Sequence, residues 1–218
     1  MKDKLLVSGI IAGPLFLVVW FVQAFTREGF DQGRHPISLL ALGGQGWIQI
    51  ANFIVTGLLY VAFAVGVRRA VRSGRGSTWG PRLIGAAGIG LIIAGVFVTD
   101  PGAGFPMGAP AGKPEMSWHG LLHELGFMLT SLSWTAACFV FARRFAGLKQ
   151  RGRVGATVGT VVAVLVIALW PDLDSLSMRL VIATAIQFGF LAALAASLRR
   201  GQPDALGRSA RPASVLSR

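Results

Sequence analysis

The sequence predicts an all-α, polytopic membrane bundle: six transmembrane helices plus a short interfacial or re-entrant helix near residues 36–42. Three observations carry this. Of 218 residues, 53% are hydrophobic and only 14% are charged, whereas soluble domains carry about 25% charged residues. Six apolar stretches approach the roughly 20 residues that cross a hydrocarbon core. Basic residues gather between alternate stretches, as membrane topology requires.

The spans are expected at Leu5–Phe25, Trp47–Val67, Leu83–Val98, Trp118–Phe141, Val154–Trp170 and Leu180–Leu198. The third is short unless residues 78–82 extend it, and the fifth is also short. Met1–Lys4 followed by an apolar run has the outline of a signal peptide, but no Ala-x-Ala cleavage site follows, so the first span is read as retained. The domain expectation is a transmembrane unit over 1–200 and a disordered, basic, cytoplasmic tail over 201–218. In the loop 26–46, His35-Pro36 opens and Gly43 closes a run of two turns, following the preference for proline at the start of a helix and glycine past its end. His35 is expected at its N-cap, with Ser38 one turn inward.

The net charge of +12 and pI of about 11.6 would suggest nucleic acid in a soluble chain. Here topology accounts for the charge, and no nucleic-acid partner is expected. Of the 21 Lys and Arg, only Arg27, Arg34, Lys113 and Arg179 fall outside the first residues, the loops after spans two and four, and the tail. The positive-inside rule then puts both termini in the cytoplasm. All three histidines and most of the acidic residues fall on the opposite side. The single cysteine, Cys138, lies inside a span, so no intrachain disulfide forms and a small buried hydrophobe is the simplest reading.

Polar residues form helical stripes. His119, His123, Gly126, Thr130, Ser133 and Ala137 stay within roughly 40° of one another at about 100° per residue. This small, polar stripe is expected to face the bundle interior. Gln49, Asn52, Thr56 and Tyr60 form a second stripe, read first as contacts between helices. Asp100 ends the third span, where a carboxylate meets the negative end of the helix dipole and calls for a compensating partner. Glu124 points roughly 140° away from His119 and is set outside the site.

These residues define the candidate chemistry. His119 and His123 sit four apart on one helical face, and His35 supplies a third imidazole on the same side. That is a possible zinc set of His35, His119 and His123, with water in the fourth position. Asp100 would orient a ligand or take a proton from that water. Ser38 would hydrogen-bond a substrate or a developing oxyanion. The competing reading is structural: imidazoles near the headgroup region that hold helices together.

The runs HPISLLALG (35–43), VTDPGAGFPMG (98–108) and WHGLLHELG (118–126) resemble the bacterial integral-membrane family catalogued as domain of unknown function 998, across about Leu5 to Leu198. The resemblance implies a bacterial multi-pass plasma-membrane protein and no particular reaction. Ser38, Asp100, His35, His119 and His123 are also similar in type to the serine, aspartate and three histidines of the alkaline ceramidase and adiponectin-receptor intramembrane hydrolases. Those proteins usually have seven spans, with the His-x-x-x-His pair in the last, whereas here the pair opens span four of six.

Three functions follow as expectations. The first is a zinc-dependent hydrolase of a lipid or small amphipathic substrate. The second is a non-enzymatic lipid-binding, transport or assembly protein in which the histidines are structural. The third is a b-type haem protein with His35 as the second axial ligand, since two histidines on one helix cannot clamp both faces of a haem. Membrane lipids are the expected partners in each.

Overall fold

A computed structural model describes residues 2–112, 115–171 and 175–201. The expected tail over 202–218 lies outside the described residues. Among the described residues there are six α-helices: α1 (Lys2–Thr26), α2 (Gly46–Ala70), α3 (Trp79–Val96), α4 (Trp118–Gly147), α5 (Arg151–Leu169) and α6 (Leu176–Arg200). All six are long and apolar enough to cross a membrane, because lipid forces each spanning segment to satisfy its backbone internally. The protein is a multi-pass membrane protein. Among the described residues the only extended pairing is the isolated bridge Gly102–Phe105.

Four of the expected spans fall inside their helices, while the third overruns α3 by Phe97 and Val98 and the fifth overruns α5 by Trp170. The third gains its missing length at Trp79-Gly80-Pro81-Arg82, as the sequence allowed. The short element is tighter than two α-turns. It is a 3-10 helix, Ile37–Ala41, capped by Pro36 rather than His35. Gly43 follows with φ +71°, a left-handed turn that glycine adopts without penalty.

Each helix packs against the next in sequence, and α6 returns to α1, so the six form a closed ring. Lipid tails are as apolar as the side chains, so close backbone packing holds such helices together rather than burial from water. The crossings show this. A Cβ on Gly57 would stand 2.5 Å from Gly88 O, joining α2 to α3, and one on Gly126 would stand 2.7 Å from Gly90 O, joining α3 to α4. Thr130 Oγ1 adds a hydrogen bond across the second crossing to Ala87 O (3.2 Å). The fifth helix is the outlier: only Thr157, Val161 and Val164 of α5 are buried.

The main core contains Phe16, Phe53, Tyr60, Phe63, Trp134 and Phe188. A smaller cluster of Trp20, Phe30, Leu39, Leu40, Phe105 and Val181 seats the loops at the histidine-bearing end. Arg27 fastens that cluster. Its guanidinium donates to Leu40 O and Leu42 O and lies 5.8 Å over the Phe105 ring. Burial lowers the Arg27 pKa, but an arginine stays charged.

Candidate functional site

A cavity of about 580 Å³ opens at the histidine-bearing end of the ring. That falls within the roughly 300–1,000 Å³ usual for small-molecule sites. Its walls are mostly apolar, with Phe16, Phe53, Leu91, Phe127, Leu180 and Phe188 among the lining residues. A few polar groups converge on it: Arg34, Ser38, Asp100, His123 and Glu124, with Ser131 and Thr184 deeper. Trp134 Nε1 donates to Gln187 O at 3.1 Å, tying α4 to α6 below the cavity.

Asp100 is positioned by the start of α4. Ser117 donates to it twice, from its backbone N–H to Oδ2 (2.8 Å) and from its hydroxyl to Oδ1 (2.6 Å). The same hydroxyl accepts from Gly120 N (3.1 Å) and caps the helix. A side chain at 120 would collide with the carboxylate, so glycine there lets Asp100 settle against the helix N-terminus. From sequence Asp100 is expected to end the third helix, but α3 stops at Val96 with Phe97 as its C-cap, and the carboxylate sits instead at the positive end of α4. Burial alone would raise the Asp100 pKa. The Ser117 hydrogen bonds and the imidazoles of His119 and His123 outweigh it and hold the carboxyl below its ordinary value.

Carbonyl partners fix the proton on each imidazole, since a carbonyl can only accept. His123 Nδ1 faces Ala94 O (2.8 Å) and Phe97 O (3.0 Å). Nδ1 therefore carries a proton, and Nε2, which holds a lone pair in the neutral ring, has no hydrogen-bond partner among the described residues. His123 is buried and lines the cavity. His119 Nδ1 donates to Val98 O (2.8 Å) and stands 3.7 Å from Asp100 Oδ1. His35 is different: Nδ1 accepts from Asp31 N (2.9 Å) and Nε2 donates to Ala103 O (3.1 Å). Its ring is held between Phe30 and Phe105, 5.4 Å from each. Both nitrogens of His35 are thus engaged in joining two loops.

Of the residues singled out from sequence, the cavity brings together Ser38, Asp100 and His123; His35 and His119 do not line it. Among the described residues, no group of three or more His, Cys, Asp or Glu side chains is placed to hold a metal ion. Glu124, set apart from the expected site by its angle from His119, lines the cavity together with His123. Ser117 and Arg34 were also missed. A serine just before an apolar helical run is a capping signal that would have found the first. The α2 stripe serves as helix contact: Gln23 Nε2 donates to Gln49 Oε1 (2.8 Å), and Asn52 Nδ2 donates to Phe16 O (3.1 Å).

Residues 10–197 match the family model described as "Protein of unknown function (DUF998)". The chain belongs to this family. No curated protein and no solved structure matches it. Membership of DUF998 agrees with the six-helix layout and with the three motif runs, all of which fall inside the matched segment. The family's description assigns no chemistry, so a function must be argued from the cavity itself.

Proposed function

We propose that this DUF998 protein binds an amphipathic small molecule in the cavity, with the apolar part among the phenylalanines and leucines and the polar part at Arg34, Ser38, Asp100, His123 and Glu124. The carrying observation is the segregation of the lining: aromatic and aliphatic walls with a few convergent polar groups, as binding pockets have. Basic residues of Lys4, the loop 68–82, the loop 143–153 and Arg199–Arg200 lie at the opposite end, which supports an orientation with the termini in the cytoplasm and the cavity outside. Together with the family resemblance, this supports residence in a bacterial plasma membrane.

The test is a titration of purified protein with a fluorescent fatty acid. One saturable site per chain is expected. Thr184→Trp should remove it by filling the cavity, while Thr184→Ser should keep it. Binding unchanged in Thr184→Trp would overturn the reading.

A second reading is favoured by one specific observation, the unengaged lone pair of His123 Nε2. A neutral imidazole held by carbonyls at Nδ1 can accept a proton at Nε2. Hydrolysis of an ester or amide bound in the cavity would use His123 as the base, with Ser38 and Asp100 beside it. A zinc ion on His35, His119 and His123 would need His35 to release a loop hydrogen bond. Ester turnover abolished by His123→Gln but retained in His35→Gln would support the metal-free form. One zinc per chain, lost in His35→Gln, would support the other.

A further inference from the structure

Three seams of the ring are closed along their length: α1–α2 by side-chain hydrogen bonds, α2–α3 and α3–α4 by glycine crossings. The α4–α6 side differs. The two helices are tied by Trp134 Nε1 to Gln187 O, and α5 stands against both. No α5 side chain lines the cavity. Towards the histidine-bearing end, the cavity therefore lies between α4 and α6 without α5 as a wall.

Depth along α4 places this gap. Arg143 is exposed near the basic end of the helix. Counting back about 20 residues for a core of roughly 30 Å reaches residue 123. Glu124 then lies at the headgroup boundary, and Phe127 and Ser131 lie within the hydrocarbon. Exposed Trp118 stands just above, in the position of an interfacial aromatic anchor. Phe127 lines the cavity and is also 46% exposed, so the cavity wall reaches the lipid-facing surface at acyl-chain depth.

The rim carries two opposite charges. Arg34 and Glu124 are both exposed and both line the cavity. Among the described residues, the Arg34 guanidinium donates to Ala111 O alone, at 3.4 Å. Glu124 has no hydrogen bond or ion pair among the described residues. Asp100 is already committed to Ser117. A purely anionic head would meet Glu124 unfavourably, and a purely cationic one Arg34. A zwitterion satisfies both.

Resting on the binding reading above, we propose that the ligand is a zwitterionic phospholipid of the surrounding leaflet that enters sideways between α4 and α6. Its phosphate sits on Arg34, its ammonium on Glu124, and one acyl chain lies along Phe127 and Leu180.

The experiment is native mass spectrometry of the full chain in detergent with added phosphatidylethanolamine or phosphatidylglycerol. Wild type should retain one phosphatidylethanolamine per chain, with a preference of about tenfold over phosphatidylglycerol. Glu124→Gln should erase the preference, Arg34→Gln should weaken retention of both lipids, and Thr184→Trp should abolish the tightly held lipid. Both charged positions are exposed, and circular dichroism confirms the fold of each variant. Equal retention of the two lipids by wild type, or an unchanged preference in Glu124→Gln, would overturn the proposal. So would retention unaffected by Thr184→Trp, which marks the lipid as annular. A soluble fatty acid that binds while neither phospholipid is retained would overturn this inference and leave the cavity reading standing.

Discussion

Gly120 lies against the carboxylate of Asp100, and any side chain at position 120 would overlap it. Asp100 belongs to the segment that follows α3 and Gly120 to the first turn of α4, so this contact locks that segment to the start of α4. Gly120→Ala is expected to destabilise the protein by about 1–3 kcal/mol through overpacking. Thermal unfolding in detergent, followed by circular dichroism, measures it.

Ser117 joins the same lock, as cap of α4 and double donor to Asp100. Ser117→Ala should cost about 0.5–2 kcal/mol as a lost cap, with a further contribution from the orphaned carboxylate. Ser117→Thr should recover most of the loss. The same melting experiment distinguishes the two variants.

Asp100 also sets an acid limb. Its pKa in the folded protein lies below the ordinary 3.8. The unfolded state therefore binds its proton first, and the stabilisation is complete above 3.8 and fades as pH falls through the lower folded value. Melting temperature measured from neutral pH down to acid should drop over that window in wild type. Asp100→Asn should be less stable at neutral pH and show a shallower acid limb.

His35 and His123 should separate cleanly. His35 joins the 3-10 loop to Ala103 and stacks between two phenylalanines. His35→Ala should lower stability by about 1–3 kcal/mol through the lost loop hydrogen bonds to Asp31 and Ala103 and lost packing, with fatty-acid stoichiometry unchanged at temperatures where the variant is folded. His123→Gln should lower affinity for the fluorescent fatty acid. Parallel titration and melting of the two variants measures both effects.

Much of the architecture was legible because lipid imposes a simple rule on each span: about 20 apolar residues, internally bonded. Of the α4 stripe, His123, Gly126, Thr130, Ser133 and Ala137 are buried as the periodicity implies, whereas His119 at its outer end keeps a side chain 41% exposed. That Asp100 has a partner agrees with the expectation, but the reason differs, because α3 ends at Val96 and the carboxylate meets the start of α4. The identity of that partner was not foreseeable, since the capping Ser117 lies 17 residues further on.

The candidate site was harder to read. Residue type and side of membrane grouped His35 with His119 and His123, but the direction of the loop decided its contacts. His35 bonds to Ala103 and does not itself line the cavity. Glu124 points away from His119 yet lines the cavity beside His123, a placement that the angle from His119 alone does not give. Arg34 and the α6 residues Leu180 and Thr184 reach the cavity only through ring closure between α1 and α6, which no local pattern encodes.

The most direct test of ligand binding is photocrosslinking with a diazirine fatty acid, followed by peptide mass spectrometry of the adducts. The cavity reading predicts saturable adducts at Phe127, Leu180 and their neighbours, competed away by unlabelled fatty acid and absent in Thr184→Trp. Adducts confined to the lipid-facing residues Val18, Phe21 and Val162, with no saturation, would contradict it.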